Sequence, residues 1–240
     1  MRGLFVTGTD TGVGKTVVAA AMVAALHAVG EPVRPLKPVL SGLDEPTDPA
    51  WPPDHVLLAR AGGVDPDTVA LIRYGPAVSP HLAAELAGAP IDPIALRAQI
   101  DAAVSAHETV VVEGVGGLMV PLAPGYDVRD LARELELRLV IAARTGLGTI
   151  NHTLLTLEAA RRAALDVAAV VLTPWPEGAS AIERSNRDTI AHLGGVAVAT
   201  LPRVGRATRE ELAAAGATLP LADWLDDQRA GSRLPRASAV

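Results

Sequence analysis

Short apolar runs alternate along the chain with longer helical stretches. Residues 4–6 form an apolar run that ends in a glycine-rich turn, and residues 16–29 read as an Ala-rich helix closed by Gly30. A second strand is predicted over 33–39, followed to residue 53 by a stretch rich in Pro, Asp and Gly, the composition of a long functional loop. Helices are expected over 55–61, 80–87 and 93–106, the last with Pro93 at an entry position where a missing N–H costs little. Residues 109–112, 139–142 and 167–172 are further strand-like runs, the last two separated by a helical segment over 150–164.

This alternation predicts an α/β fold with right-handed crossovers and a mostly parallel sheet flanked by helices, which receives its ligands at the carboxyl edge of the strands. No internal repeat is present. A single domain is expected over 1–227, followed by a polar, flexible tail over 228–240 that carries Gly, Ser, Pro and three Arg. Composition fits: apolar residues make up 49% of the 240 residues but aromatics only 2%, so Ala, Val, Leu and Ile must fill the core.

Charge and chemistry narrow the function. A net charge of -6 provides no basic stripe for a nucleic-acid backbone, and aromatics at 2% of the chain offer little for base stacking. With no cysteine, disulfides, thiolate zinc sites and Cys nucleophiles are excluded. The apolar stretch over 17–29 is interrupted by His27 and is too short to span a bilayer. The N-terminus lacks the pattern of a signal peptide, so no membrane association and a cytoplasmic location are expected.

The segment GTDTGVGKT lies between a predicted strand and a predicted helix, the setting in which a glycine-rich match becomes a phosphate loop. Gly12 and Gly14 permit positive φ, so the backbone from Gly12 and Val13 through Val17 can wrap phosphate oxygens at a helix start. Lys15 can bridge the outer phosphates, and the Thr16 hydroxyl can enter a Mg2+ shell. The strict pattern asks for Gly where this chain has Thr9, with Gly8 one step further out, so the loop is a variant of the P-loop NTPase type.

A metal bound to triphosphate also takes one or two carboxylates. Glu113 is expected at the sheet edge shared with the phosphate loop, and in EGVGG the backbone of Gly114, Val115 and Gly116 can approach a ligand. Asp54 precedes a helix, and by spacing alone it reads as an N-cap. Lys37 and Ser41 in KPVLSG stand at and beyond the end of the second strand, where a cation can face a second, anionic substrate. His81 and His152 lack metal spacing and read as helix-start or packing residues.

Together, GTDTGVGKT, KPVLSG, SPHLAA, VEGVGGLMVP, GLGTINHTLLTLEA and ERSNRDT resemble the dethiobiotin synthetases, with matches from Gly8 to about Pro202. The resemblance implies an ATP-dependent carboxylase that closes the ureido ring on 7,8-diaminononanoate and CO2 in biotin synthesis. Lys15 and Thr16 would then serve ATP and magnesium, and Asp54 with Glu113 would complete the metal shell, replacing the cap reading of Asp54. Lys37, Ser41 and Thr11 would face the diamine. It also implies a homodimer in which the segment around Gly148 and Asn151 reaches toward the neighbouring subunit's site. The chain departs from the family at the base-reading loop: VVLTPWP places Thr173 and Pro174 where Asn is common, and backbone groups there and at Pro202, Arg203 and Val204 are expected to meet the base.

Two other readings remain open on sequence. Corrinoid-type amide-forming ligases share the phosphate loop but normally add a glutaminase domain with a Cys nucleophile, and this chain has no cysteine. Partition-type nucleotide switches carry a signature Lys in the loop, at the position occupied here by Asp10.

Overall fold

β1 (Arg2–Gly8) is buried on both faces, and its side chains alternate between two apolar layers: Leu4 and Val6 enter one, Phe5 the other. The structure, a computed structural model, describes residues 1–46, 48, 50–104 and 108–231, with side chains described as far as residue 226. After β1 follow α1 (Lys15–Ala28), β2 (Val33–Leu36), β3 (Val39–Leu40), α2 (Asp54–Gly62), β4 (Ile72–Arg73), α3 (Pro80–Leu86) and α4 (Pro93–Ala103). The second half contains β5 (Thr109–Glu113), β6 (Pro121–Ala123), β7 (Tyr126–Asp127), α5 (Val128–Leu135), β8 (Arg138–Ala143) and α6 (Thr149–Arg162). It ends with β9 (Val167–Trp175), α7 (Ala181–Gly194), β10 (Val198–Pro202), α8 (Arg209–Gly216) and α9 (Leu221–Gly231).

Six strands form one parallel sheet in the order β10-β9-β8-β1-β5-β2. Because every strand runs the same way, all their carboxyl ends meet at one edge, and residues distant in sequence converge there. One face is covered by α1, α2, α8 and α9, the other mainly by α4, α5, α6 and α7. The first layer depends on small residues. Val18 to Ala24 of α1 are fully buried, and α8 packs so closely that a Cβ on Gly216 would lie 2.0 Å from the carbonyl oxygen of Ala21.

The second strand is shorter than its apolar run suggests. Pro38 has no N–H for the ladder, and the Lys37 N–H donates to the carbonyl of Val69 at 2.9 Å instead of to the sheet. The chain therefore leaves β2 at Leu36, and Val39–Leu40 pairs with β4 in a separate two-stranded sheet. The helix expected over 93–106 ends at Ala103, and residues 105–107 lie outside the described ones. The backbone of α9 continues through Gly231, into the first residues of the expected tail, whose remainder lies outside the described residues. Among the described residues, no helix is long and apolar enough to cross a membrane.

Candidate active site

The turn after β1 is shaped by steric constraint. A Cβ on Gly8 would lie 2.7 Å from Cγ2 of Val13 and 2.9 Å from Cγ of Lys15, so the turn closes only over glycine. Thr9 keeps a strand-like role, donating its N–H to the carbonyl of Ala142 in β8 at 3.0 Å. The variant spacing follows: the residue that must be small is one step earlier than in the strict motif. Gly14 is left-handed at φ 93 and caps α1, and a Cβ there would press within 2.8 Å of Cγ2 of Thr173. Val13 is buried beneath the turn, and Lys15 donates from Nζ to the carbonyl of Asp10 at 2.9 Å.

Beside the turn, the carboxyl ends of β2 and β5 bring charges together. Lys37 is buried with its Nζ 2.7 Å from Oδ2 of Asp54 and 2.8 Å from Oε1 of Glu113. The Thr16 hydroxyl donates to the same Glu113 oxygen at 2.9 Å. Burial disfavours the charge on Lys37, but Glu113 and Asp54 outweigh it and hold the ammonium above its ordinary value. Glu113 is fully buried; desolvation raises its carboxyl, with Lys37 opposing. For Asp54 burial acts in the same direction, but Lys37 and Thr16 hold the carboxyl below its usual range. Burial lowers Lys15, partly offset by Glu113. Oε2 of Glu113 is buried and has no hydrogen-bond partner among the described residues.

Asp54 is not an N-cap. Pro53 occupies that position, Asp54 is the first helical residue, and its carboxylate turns toward Lys37. Ion pairing with a buried ammonium outweighs the weaker capping interaction.

A cleft of about 690 Å³ opens over these groups. Thr11, Gly12, Gly14, Lys15, Thr16 and Val17 form one wall, and Lys37, Ser41, Asp54, Val115 and Gly116 line the rest. Ser41 donates its hydroxyl to the carbonyl of Val78 at 2.9 Å. Gly114 lies beneath: its N–H reaches the carbonyl of Val6 at 2.9 Å, and a Cβ would meet the Phe5 ring at 3.0 Å.

Thr173, Pro174, Pro202, Arg203, Val204 and Asn151 do not line this cleft. Thr173 and Pro174 lie just before the end of β9, and Pro202 at the end of β10 pairs in register with Trp175, so this group lies along the same sheet edge, joined to the phosphate turn by the Thr173–Gly14 contact. Asn151 is exposed in the first turn of α6. His81 and His152 are both exposed, near the starts of α3 and α6.

Sequence reasoning missed the apolar wall of Leu40, Trp51, Val78 and Val120. It also gave no role to Asn186 of the ERSNRDT segment. That residue is buried and donates from Nδ2 to the carbonyls of Thr145 at 2.9 Å and Gly146 at 3.2 Å, fixing the turn between β8 and α6. Two backbone acceptors for a buried amide could be found only once that turn was seen to pass over α7.

Paired carboxylates, a hydroxyl and two lysines beside an amide-lined turn are the parts needed to hold a metal-bound polyphosphate against a second substrate. A family model described as an AAA domain matches residues 2–211. The ATP-dependent dethiobiotin synthetase BioD of Haloferax mediterranei is 40% identical over 211 residues, covering 87% of this chain and 87% of that protein. The protein of the same name from Rhodococcus jostii is 39% identical over 232 residues, covering 94% and 97%. Among solved structures, a ParA family ATPase from Chlorobium tepidum TLS aligns over 94% of this chain and 95% of its own with a TM-score of 0.50, and at 16% identity the likeness is one of fold alone. Identity of this extent over nearly the full length of both chains shows that the protein belongs to the dethiobiotin synthetase family.

Proposed function

We propose that the protein is an ATP-dependent dethiobiotin synthase that forms the ureido ring of dethiobiotin from 7,8-diaminononanoate and CO2. The observation that carries this reading is the buried Lys37 ammonium between two carboxylates, opening onto the cleft formed by the phosphate turn. One amine of the diamine captures CO2, loses a proton and becomes a carbamate, beside which Lys37 acts as a fixed cation. The carbamate oxygen attacks the γ-phosphorus and ADP leaves. The second amine then attacks the carbamoyl carbon, phosphate departs, and the five-membered ring closes. Lys15 and the turn amides align the triphosphate and receive its developing charge, so no side-chain nucleophile is needed. The apolar wall of Leu40, Val78 and Val120 fits the alkyl chain, with Thr11 and Ser41 near the reacting end.

The donor set also fits magnesium. Thr16, Asp54 and Glu113 offer oxygens only, and the partnerless Oε2 of Glu113 is a buried acceptor awaiting a positive partner. Among the described residues no three His, Cys, Asp or Glu side chains gather as a metal site, in keeping with an ion that takes its other ligands from phosphate and water. Held by these residues, magnesium would neutralise phosphate charge during transfer. The nucleobase is assigned to the ends of β9 and β10, at Thr173, Pro174, Pro202, Arg203 and Val204. A homodimer placing Asn151 near the partner's diamine, and a cytoplasmic location, complete the proposal.

The test combines purified protein, magnesium, ATP, bicarbonate and 7,8-diaminononanoate and follows ADP release. Turnover is expected only with the diamine present. Equal hydrolysis without it would overturn the reading in favour of a nucleotide switch.

A further inference from the structure

The four charged side chains that interact beside the phosphate turn cancel: Lys15 and Lys37 stand against Asp54 and Glu113. A nucleoside triphosphate with one magnesium ion still carries excess negative charge, so the turn amides are left to balance it unless another cation contributes. One is nearby. Arg144 directly follows β8, the strand next to β1, and its Nη2 donates to the carbonyl of Thr11 at 3.3 Å. The same nitrogen lies 3.9 Å from the point where a side chain on Gly12 would begin, and both Thr11 and Gly12 line the cleft.

The backbone of Arg144 is fixed while its guanidinium is not. Its carbonyl accepts the Thr149 hydroxyl at 2.6 Å, and the next two carbonyls are held by the buried Asn186 amide. The guanidinium is exposed, and no carboxylate among the described residues forms an ion pair with it. An anchored arginine without a carboxylate partner, resting by one hydrogen bond on the rim of a phosphate turn, is arranged to exchange that carbonyl for a phosphate oxygen.

We infer that Arg144 is a phosphate-binding residue that contacts the outer phosphates of the bound nucleoside triphosphate. The inference rests on the triphosphate-binding part of the proposed function. It assigns to this chain a second cationic side chain for the polyphosphate, beside Lys15, from a strand end that the glycine-rich motif does not include.

The experiment measures ATP and AMP affinity by competition against a fluorescent ATP analogue, in wild type, Arg144→Gln and Arg144→Lys, together with the melting temperature of each ligand-free protein. Arg144→Gln is expected to weaken ATP roughly 10- to 100-fold while leaving AMP and the melting temperature unchanged, and Arg144→Lys should recover part of the loss. ATP affinity within about twofold of wild type, or a parallel loss of ATP and AMP, would overturn the assignment and leave Arg144 as a brace for the turn. These outcomes are separate from diamine-dependent turnover. If wild type binds ATP but shows no such turnover, the functional proposal fails and the binding series still decides the role of Arg144.

Discussion

Lys37 holds its ammonium 2.8 Å from Oε1 of Glu113, while the second oxygen of that fully buried carboxylate has no hydrogen-bond partner among the described residues. The pair is therefore satisfied on one side only, and the unsatisfied side is what a magnesium–nucleotide complex can complete. Removing either member has consequences for both stability and chemistry.

Lys37→Ala leaves Glu113 buried beside Asp54 without its cation, the situation in which breaking a buried pair costs about 3–5 kcal/mol. Denaturant unfolding should show that loss. In protein that remains folded, diamine-dependent turnover should fall by about 10²-fold, with a smaller change in ATP affinity, since the proposed phosphate ligand Lys15 is retained. Equal losses in turnover and affinity would place Lys37 in the nucleotide site instead.

Glu113→Gln keeps the shape and an acceptor for Thr16 but removes the charge. Magnesium strengthens ATP binding in wild type if Glu113 helps hold the ion, and the ratio of ATP affinities with magnesium and with EDTA should shrink in the variant. An unchanged ratio would remove Glu113 from the metal shell.

Gly14 and Gly125 separate two effects of adding a methyl group. Both are left-handed, at φ 93 and 72, but a Cβ on Gly14 meets Thr173 at 2.8 Å, whereas nothing lies within 4 Å of one on Gly125. Gly125→Ala should cost only the conformational penalty, roughly 1 kcal/mol, and leave ATP binding intact. Gly14→Ala should lose ATP binding as well, measured by the same titration, because the turn must move to clear Thr173.

Much of the fold was legible because β1, β5, β8 and β9 are buried on both faces, so each reads as a continuous apolar run. β10, by contrast, is only partly buried along VAT, and α7 and α8 show the solvent a polar face, so none of the three produced a comparable signal. The phosphate turn, Lys37, Glu113 and Ser41 could be found because glycines and a strand-end lysine mark a sheet edge. The partner of Asp54 could not be read, since the neighbouring Pro53 and the following helix favour a cap equally well. Arg144 was hidden for a different reason: its contact with Thr11 joins two strand ends whose adjacency exists only once β8 pairs with β1.

Asp127 does not line the cleft. It caps α5 in a reciprocal box with Asp130, accepting the N–H groups of Arg129 at 2.8 Å and Asp130 at 3.2 Å. Burial disfavours its charge, but the Arg129 side chain and the Asp130 N–H hold the carboxyl below its usual range. A carboxyl lowered in the folded state contributes stability that is present above its unfolded value and lost as pH falls through the folded one. Asp127→Ala should therefore cost about 1 kcal/mol at pH 7, and the gap between variant and wild type should narrow below about pH 4. Denaturant unfolding across that range checks both, and a gap that stayed constant into acid would mean that capping by the ionised carboxylate contributes nothing.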